Sequence, residues 1–360
     1  MKIDDFIQQT GEWLRGTGPH SEIVLSSRIR LARNLDHFPF AHWANKKQEQ
    51  EVLEKVKKAV TASNFLKGSF FLRLSDLSSI DKQFLIERHL ISREHAVDAD
   101  HKAVCITPNE MVSIMVNEED HLRIQILQSG FNLMEVWKIA DKIDDDLADT
   151  LSYAFSAEWG YLTCCPTNTG TGLRASVMLH LPALVTTKQI DKVIHMITKL
   201  QLTARGFYGE GTQASGNLFQ ISNQVTLGHS EVEIIDNLER VIRQMIDYEV
   251  NARKTLMTQD RAELQDRIFR AYGTLRNAYI ITSNETTDLI SMVRLGVDLG
   301  LIKDLDRQLL NELFILTQPA HLQKLEGESA FGIPAGCETG DDYTKQTVKG
   351  RESISFIFQC

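Results

Sequence analysis

The fold is decided by two stretches of sequence, Asn-Glu-Glu-Asp-His-Leu-Arg at residues 117–123 and Cys-Pro-Thr-Asn-Thr-Gly-Thr at residues 165–171. Taken singly, each has an ordinary interpretation. The first could be a solvated acidic turn, and Cys165 could be a small buried apolar residue. Both stretches are long and specific, however, and they occur in a fixed order with several arginine-containing runs. They therefore have to be interpreted together.

The arginine-containing runs lie on both sides of these two stretches. Arg28 and Arg30 stand two residues apart in a segment that begins apolar and then alternates, which predicts a strand with both side chains on one face. Alone, such a pair would fit a surface stripe. The remaining runs come later in the chain, in the order Arg174-Ala175-Ser176-Val177, Arg205-Gly206-Phe207-Tyr208-Gly209-Glu210 and Ile221-Ser222-Asn223.

The whole series closely resembles the catalytic domain of the phosphagen (guanidino) kinases, the creatine and arginine kinase superfamily. The resemblance covers residues 20–250. It implies an α+β fold in which an antiparallel sheet is flanked by helices, and it implies ATP and Mg²⁺ as cofactors. Phosphoryl transfer requires in-line positioning and cations around the phosphate oxygens, and arginine supplies planar, permanently charged donors for that purpose.

The resemblance also assigns the nucleotide site. Five arginines would surround the phosphates: Arg28, Arg30, Arg123, Arg174 and Arg205. His89 matches a nucleotide-contacting histidine of the family, and Mg²⁺ would bridge the phosphates. The residues expected to bind the nucleotide are Ser26, Ser27, Arg28, Ile29, Arg30, His89, Arg123, Arg174, Ala175, Ser176, Val177, Met178, Arg205, Gly206, Phe207, Tyr208 and Gly209.

The acceptor side needs different residues. A guanidinium has a very high pKa and no free lone pair suited to attack, so carboxylates are needed to hold its planar face and to take a proton. By resemblance, Glu119 and Glu210 are the catalytic glutamates. Cys165 matches the reactive cysteine of the family, and we expect it to tune the site rather than to carry the main chemistry.

Departures from the small-molecule kinases indicate the substrate. The arginine-rich strand begins near residue 26, which leaves no room for the N-terminal helical domain that helps enclose free creatine or arginine. The sequence is similar instead to the bacterial protein-arginine kinase branch, through residues 216–224 and a helical extension to residues 317–319. This implies phosphorylation of arginine side chains in proteins. Two alternatives remain: a kinase of free arginine or another small guanidino compound, and a non-catalytic adaptor with the same fold.

The protein-arginine kinase branch implies several partners and a cellular role. These are protein substrates with exposed arginines, a heat-shock repressor, a zinc-binding activator protein and a Clp ATPase or protease, all within a stress response. A homodimer is also compatible with the branch. The branch normally carries a C-terminal Arg-Asp-x-x-Arg-Ala motif that binds phosphoarginine. Residues 326–360 lack this motif.

Apolar periodicity divides the chain into four segments. We expect an N-terminal segment at 1–20, the catalytic domain at 21–252, a helical domain at 253–325 and a divergent tail at 326–360. The pattern of the first fifteen residues predicts an amphipathic helix. Helical patterns also cover residues 47–62, 134–157, 187–200, 231–252 and 285–299. Ser230 is expected to cap the fourth of these helices, and Ser283 or Asn284 the fifth.

Composition excludes several other classes of protein. The formal net charge of −9 argues against a protein that coats nucleic acid. No run is long and apolar enough to cross a membrane, and no signal peptide is visible, so we expect a cytoplasmic protein. The five cysteines form no Cys-x-x-Cys pair and indicate neither a disulfide framework nor a zinc site. Neither a P-loop nor the protein-kinase motifs occur, and residues 170–175 match a dinucleotide loop only weakly.

Overall fold

The computed structural model describes residues 3–7, 9–206, 215–326 and 347–348. Its central feature is an eight-stranded antiparallel sheet. The strands of this sheet are β1 (Val24–Arg33), β2 (Phe70–Arg73), β3 (Ala103–Ile106), β4 (Val112–Val116), β5 (Leu122–Ser129), β8 (Leu173–His180), β9 (Leu202–Gly206) and β10 (Leu218–Asn223). Their order across the sheet is β2-β3-β4-β5-β1-β8-β10-β9. Two short pairs complete the strands: β6 (Phe155–Ser156) with β7 (Gly160–Tyr161), and β11 (Ile281–Thr282) with β12 (Thr347–Val348).

Helices pack around this sheet and make up most of the described residues that come after it in the chain. They are α1 (Lys46–Ala62), α2 (Ser79–Glu87), α3 (Arg93–Ala96), α4 (Leu133–Ala148), α5 (Pro182–Thr186), α6 (Ile190–Lys199), α7 (Glu231–Gln259), α8 (Arg261–Asn277), α9 (Ser283–Asp298), α10 (Arg307–Leu316) and α11 (Pro319–Glu326). One cluster of buried apolar side chains runs from the sheet into helices α7 to α10. The predicted α+β class with a helical C-terminal part is confirmed.

Strand β1 lies in the middle of the sheet and places the arginines. Ile29 and Leu31 are fully buried on the face that packs against the apolar core. Because side chains alternate along a strand, Arg28 and Arg30 lie on the opposite face. The register of the neighbouring strands brings further polar residues to that face, since Arg30 pairs with Arg174 on β8 and Ala32 pairs with Arg123 on β5.

Two predicted helices differ from the observed structure. The N-terminal segment forms two short 3₁₀ turns, Ile3–Phe6 and Glu12–Leu14, instead of one amphipathic α-helix, because the backbone is extended at Gly11. Helix α4 ends at Ala148 rather than near 157. The chain turns back there, so that the amide of Ala154 donates a hydrogen bond to the carbonyl oxygen of Asn34.

The predicted helix caps are partly confirmed. Ser230 caps α7 through a reciprocal capping box with Glu233, as expected. Thr282 rather than Ser283 or Asn284 caps α9, because its side chain accepts the amide of Glu285. Helix α7 continues through residue 252, and the division of the chain near residue 253 stays a prediction. Most of the predicted tail, from residue 327 onward, lies outside the described residues.

None of the described helices combines the length and apolar character that crossing a membrane would require. The loose dinucleotide-loop pattern at residues 170–175 leads directly into strand β8. A dinucleotide loop instead opens a helix whose N-terminus binds the pyrophosphate. Residues 170–175 therefore do not form a loop of that kind.

Candidate active site

A cleft of about 1070 Å³ opens to solvent on the arginine face of the sheet. Strands β1, β5, β9 and β10 supply its floor, and the segment from α2 to α3 supplies one side. It is lined by Arg28, Arg30, Ile86, His89, Ile91, Ser92, Arg93, Glu94, Met115, Arg123, Gln125, Arg205, Gly206 and Gln220. Four of the five predicted phosphate-binding arginines therefore line one cavity, and Arg174 lies beside them through its pairing with Arg30.

The arginines lie so close together that they disfavour one another's charge. Burial, followed by the charges of Arg123 and Arg174, lowers the pKa of Arg28 to about 9. Burial and the charges of neighbouring arginines also lower the pKa of Arg30 well below its usual value. Burial together with Arg205 and Arg123 lowers the pKa of Arg174. A cluster of this kind is costly without a counter-charge.

The hydrogen bonds of these arginines also leave donors without an acceptor. The Nε atoms of Arg30 and Arg174 are buried and have no hydrogen-bond partner among the described residues. Arg28 is better satisfied, because its Nε donates to Ser176 Oγ at 3.2 Å and its Nη2 donates to Gln220 Oε1. Buried polar groups in proteins are almost always paired, so unpaired guanidinium nitrogens in an open cleft indicate a missing acceptor. A polyphosphate fits both the positive charge and the unused donors.

His89 lies at the side of the cleft in an unusual backbone conformation. Its φ of 58° is in the left-handed region, which non-glycine residues seldom adopt. The carbonyl oxygen of His89 accepts a hydrogen bond of 2.7 Å from Gln125 Nε2, and its ring packs edge-to-face on Trp13. Burial and the charges of Arg28 and Arg93 lower its pKa to about 3, so the ring is neutral at physiological pH.

A second cavity of about 440 Å³ adjoins the first. It is lined by Arg30, Leu31, Ala32, Glu118, Glu119, Asp120, Arg123, Asn168, Gly172 and Arg174. Arg30 and Arg123 line both cavities and form the boundary between them. The first cavity is lined mainly by cations, whereas the second has three carboxylates beside three arginines, so a phosphate donor and a cationic acceptor would meet at these two arginines.

The two adjacent glutamates in the second cavity have opposite environments. Burial raises the pKa of Glu119, and the neighbouring carboxylates of Asp120 and Glu118 raise it further. Burial acts in the same direction on Glu118. The charge of Arg123, bonded at 2.6 Å, and a hydrogen bond from Ser92 outweigh it and lower the pKa of Glu118 to about 2. Glu118 therefore stays ionised and holds Arg123, whereas Glu119 is suited to exchanging a proton.

Cys165 lies beside Glu119, the glutamate to which the sequence resemblance assigns a catalytic role. Its thiol lies close enough to Glu119 to lower the pKa of that carboxylate. Its sulfur also lies 3.0 Å from Thr167 Oγ1. The preceding residue is Cys164. Burial and the carboxylates of Asp120 and Glu119 raise its pKa to about 11. The sulfur of Cys164 lies 2.8 Å from Nδ1 of His42.

Asp120 connects the two sequence stretches that carry the site. Its Oδ1 accepts the amide of Cys164 at 2.7 Å and the side-chain amide of Asn34 at 2.6 Å. His121 fixes the same region from the other side, since its Nδ1 accepts the amide of Leu35 at 3.0 Å. The acidic stretch and the cysteine loop are therefore held together by buried hydrogen bonds.

Some predicted nucleotide-binding residues do not reach the cleft with their side chains. Ser27, Ile29, Ala175 and Val177 are buried on the core face of the sheet, and Ser27 Oγ donates to the carbonyl oxygen of Gly130. The reason is strand alternation, which places every second residue on the opposite face. Ser26, Ser176 and Met178 line a smaller cavity of about 290 Å³ that shares Arg28 and His89 with the cleft. Glu210, Phe207, Tyr208 and Gly209 lie outside the described residues.

Several residues of the site were not predicted from the sequence. Gln125 and Gln220 lie on the arginine face, and Trp13 packs against His89. The two-residue spacing from Arg123 could have indicated Gln125, because both side chains then lie on one face of β5. The position of Trp13 depends on tertiary packing of the N-terminal segment, for which the local sequence carries no signal.

Comparison with known proteins agrees with this geometry. Residues 51–252 match the C-terminal catalytic domain of the ATP:guanido phosphotransferases, and residues 261–331 match the C-terminal domain of the protein-arginine kinase McsB. The chain belongs to the ATP:guanido phosphotransferase family and, within it, to the protein-arginine kinases. The protein-arginine kinase of Halothermothrix orenii is 49% identical over 91% of this chain and 94% of its own length. That of Symbiobacterium thermophilum is 50% identical over 88% and 90%.

Solved structures share the fold. A lombricine kinase superposes with a TM-score of 0.58 at 28% identity, covering 67% of this chain and 71% of that chain. The duplicated taurocyamine kinase of Schistosoma mansoni, with bound transition-state analogue components, gives a TM-score of 0.59 at 21% identity. It covers 78% of this chain and 47% of that chain.

Proposed function

We propose that this protein transfers the γ-phosphoryl group of ATP to a guanidino nitrogen of arginine side chains in other proteins. The observation that carries the proposal is the boundary formed by Arg30 and Arg123, which separates an arginine-rich cleft from a pocket in which three carboxylates lie beside arginines. Relatives about 50% identical over most of the chain, each named a protein-arginine kinase, support arginine in proteins as the acceptor.

The residues of the site divide the chemistry between them. The arginines hold the triphosphate and stabilise the charge on the transferring group. Attack by the guanidino nitrogen forms the N–P bond while the bond between the γ-phosphorus and its bridging oxygen breaks, and ADP leaves with the electron pair. The acceptor nitrogen loses a proton, which Glu119 takes. Glu210 is proposed as a second carboxylate on the acceptor side.

Magnesium is proposed to travel with the nucleotide. Among the described residues, no group of three histidine, cysteine or carboxylate side chains could hold a metal ion. The phosphate oxygens would therefore provide most of its ligands. When bound, Mg²⁺ neutralises phosphate charge and orients the chain of phosphates.

A second candidate function is phosphorylation of free arginine, because the pocket that contains Glu119 is large enough for a single guanidino side chain. The test incubates the full chain with Mg-ATP and either casein or free arginine, and mass spectrometry then looks for acid-labile phosphoarginine. Label on casein supports the proposal, whereas label on free arginine alone overturns it. Absence of label on both favours the adaptor, or an activator that must be added.

The cellular setting is proposed from the family alone. We propose a cytoplasmic protein that acts in a stress response, together with a heat-shock repressor, a zinc-binding activator and a Clp ATPase or protease. A homodimer is proposed on the same basis. Co-purification of the tagged chain from heat-stressed cells, with each partner identified by mass spectrometry, tests these proposals separately from the catalytic one.

A further inference from the structure

An open groove lies beside the cysteine loop. It encloses about 670 Å³ and is lined by residues of the β6–β7 hairpin, of the end of the cysteine loop and of the turn that leads into α7. Three large apolar side chains in it are exposed: Phe155 at 61%, Trp159 at 49% and Leu227 at 43%. Several exposed apolar side chains in one concave place mark a binding surface more often than a scattered few do. We call this surface the aromatic groove.

The floor of the aromatic groove is rigidly built. The amide of Tyr161 donates to the carbonyl oxygen of Gly170 at 2.8 Å, which joins the hairpin to the cysteine loop. A Cβ atom at Gly160 would lie 2.4 Å from the oxygen of Gly170, and one at Gly170 would lie 2.4 Å from the oxygen of Thr226. The three backbone segments therefore touch directly. A surface formed in advance binds with less loss of conformational entropy.

The Tyr161 ring is held in place from beneath. The guanidinium carbon of Arg33 lies 3.4 Å from its centroid, and Arg33 is itself paired with Asp144 at 2.7 Å. Phe155 packs against Tyr161 with ring centroids 5.3 Å apart. The exposed aromatic surface is thus supported by a buried ion pair, and it does not need a ligand in order to keep its shape.

The charge of the aromatic groove is opposite to that of the nucleotide cleft. Glu158 and Glu231 line it, and no lysine or arginine occurs among its lining residues within the described part of the chain. Burial raises the pKa of Tyr161, the charge of Arg33 lowers it, and the carboxylates of Asp144, Glu231 and Asp145 raise it. A basic polypeptide would be repelled by the arginine cleft and attracted here. Aromatic faces beside carboxylates also suit lysine and arginine side chains, through cation–π contacts and ion pairs.

The aromatic groove and the acceptor pocket share one loop. Gly170 and Thr171 line the groove, whereas Asn168 and Gly172 line the pocket that contains Glu119. Thr226, on the far wall of the groove, hydrogen-bonds to the carbonyl oxygens of Thr167 and Thr169 in that loop. The acceptor pocket and the aromatic groove are therefore lined by neighbouring residues of the same short loop.

We propose that the aromatic groove docks the segment of a protein substrate that flanks the target arginine, and that it favours segments with further basic residues. This proposal rests on the proposed function, because it needs an acceptor arginine that belongs to a polypeptide. It implies that affinity for protein substrates comes partly from outside the catalytic pocket. Free arginine, which has no flanking segment, gains nothing from the groove.

The test compares two synthetic peptides, one with the target arginine flanked by lysines and one with it flanked by glutamates. For Trp159→Ala we expect KM for the lysine-flanked peptide to rise about tenfold, as for loss of an aromatic anchor, with kcat and KM for ATP unchanged. Glu158→Lys should reduce the preference for lysine flanks. Phe65→Ala is the matched control, because Phe65 is 55% exposed and does not line the groove.

Two results would overturn the docking proposal: equal KM values for the two peptides with the wild-type protein, or an unchanged KM in Trp159→Ala. Failure of the proposed function gives a different pattern, in which neither peptide becomes phosphorylated. Fluorescence anisotropy of the labelled lysine-flanked peptide then still decides the matter, because docking needs no phosphoryl transfer. Binding that is weakened by Trp159→Ala but not by Phe65→Ala supports the groove, and equal binding by all three proteins overturns it.

Discussion

Glu118 and Glu119 are neighbours in sequence, yet their surroundings prepare them for different tasks. Glu118 is tied to Arg123 and Ser92, and its pKa is lowered to about 2. Glu119 lines the pocket proposed for the acceptor, and burial together with nearby carboxylates raises its pKa. When the surroundings of two carboxyl groups move their pKa values apart, one group can serve as a permanent anion and the other can exchange a proton.

The raised pKa of Glu119 gives a pH prediction. A general base works only when deprotonated, so kcat should fall on acidification through a pKa above the ordinary glutamate value of 4.5. The Cys165 thiol lowers the pKa of this carboxylate, so Cys165→Ala should move the acidic limb to higher pH. The measurement is kcat against pH for both proteins. An acidic limb that stays in place, or that moves to lower pH, would contradict the assigned contact.

The crowded arginines give a second prediction. In the absence of nucleotide, Arg30→Met removes a partly buried cation that is repelled by Arg28, Arg123 and Arg174. We expect the free energy of unfolding without nucleotide to rise by about 1 kcal/mol, in the manner of active-site residues that trade stability for function. The gain in Tm on adding Mg-ATP should shrink or vanish. Thermal melting with and without Mg-ATP measures both effects, and a destabilised variant that keeps its nucleotide response would contradict the assignment.

At the scale of elements, the cysteine loop depends on close backbone contacts. Gly170 has a φ of 111°, and a Cβ atom there would meet the carbonyl oxygen of Thr226 at 2.4 Å. The alternation of side chains along the strands and the single glycine Gly170 thus determine the shape of both the acceptor pocket and the aromatic groove.

Gly170→Ala should therefore be costly. The clash with backbone cannot be relieved by a side-chain movement, and the φ is unfavourable for alanine, so we expect a loss of about 2–3 kcal/mol in the free energy of unfolding. Gly228→Ala is a control for backbone strain alone, since its φ is 83° but no atom lies within 4 Å of the added Cβ. Urea unfolding measures the free energy of unfolding of both variants. Equal losses in the two variants would show that the clash at Gly170 is absent.

Much of the element pattern was predictable because the signals are local. Ser230 and the apolar stripe of α1 identified two helices, and the alternation around Arg28 identified the central strand. The order of the strands was not predictable from any single segment. It depends on pairing between distant residues, such as Arg30 with Arg174.

The positions of the site residues were likewise only partly predictable from local sequence. Motifs pointed to its residues, but a motif that runs along a strand contains both faces. Ile29 and Ala175 were therefore grouped with residues that line the cleft, although their side chains enter the core. Trp13 was assigned to a terminal helix, and only packing of the whole chain places it against His89.

At the scale of the whole molecule, the last described helix is tied to the nucleotide cleft. The carboxylate of Glu87 accepts hydrogen bonds from the amides of Ala320 and His321 at 3.0 and 3.1 Å, and from His321 Nδ1 at 2.7 Å. The next residue, Arg88, pairs with Glu110, and the one after it is His89. Three consecutive residues thus join helix α11, the segment before β4 and the cleft.

Glu87→Gln tests this connection. One amide oxygen cannot replace a carboxylate that accepts three hydrogen bonds from helix α11, so we expect a loss of about 2 kcal/mol in the free energy of unfolding. Because Glu87 adjoins Arg88 and His89, KM for ATP should rise while kcat changes little. Steady-state kinetics on the folded variant separate the two parameters. A stability loss with unchanged KM for ATP would show that α11 is only a structural support.

The central claim is that ATP and an arginine side chain meet at Arg30 and Arg123 with Glu119 as the base. The most direct measurement compares the wild-type protein with Glu119→Gln, following both nucleotide affinity and phosphoarginine formed on casein with Mg-ATP. We predict about a hundredfold or greater loss of phosphoarginine formation in the variant, within the range that removal of a general base costs. ATP affinity should stay unchanged. Wild-type transfer rates in Glu119→Gln, or loss of ATP binding together with activity, would contradict the account.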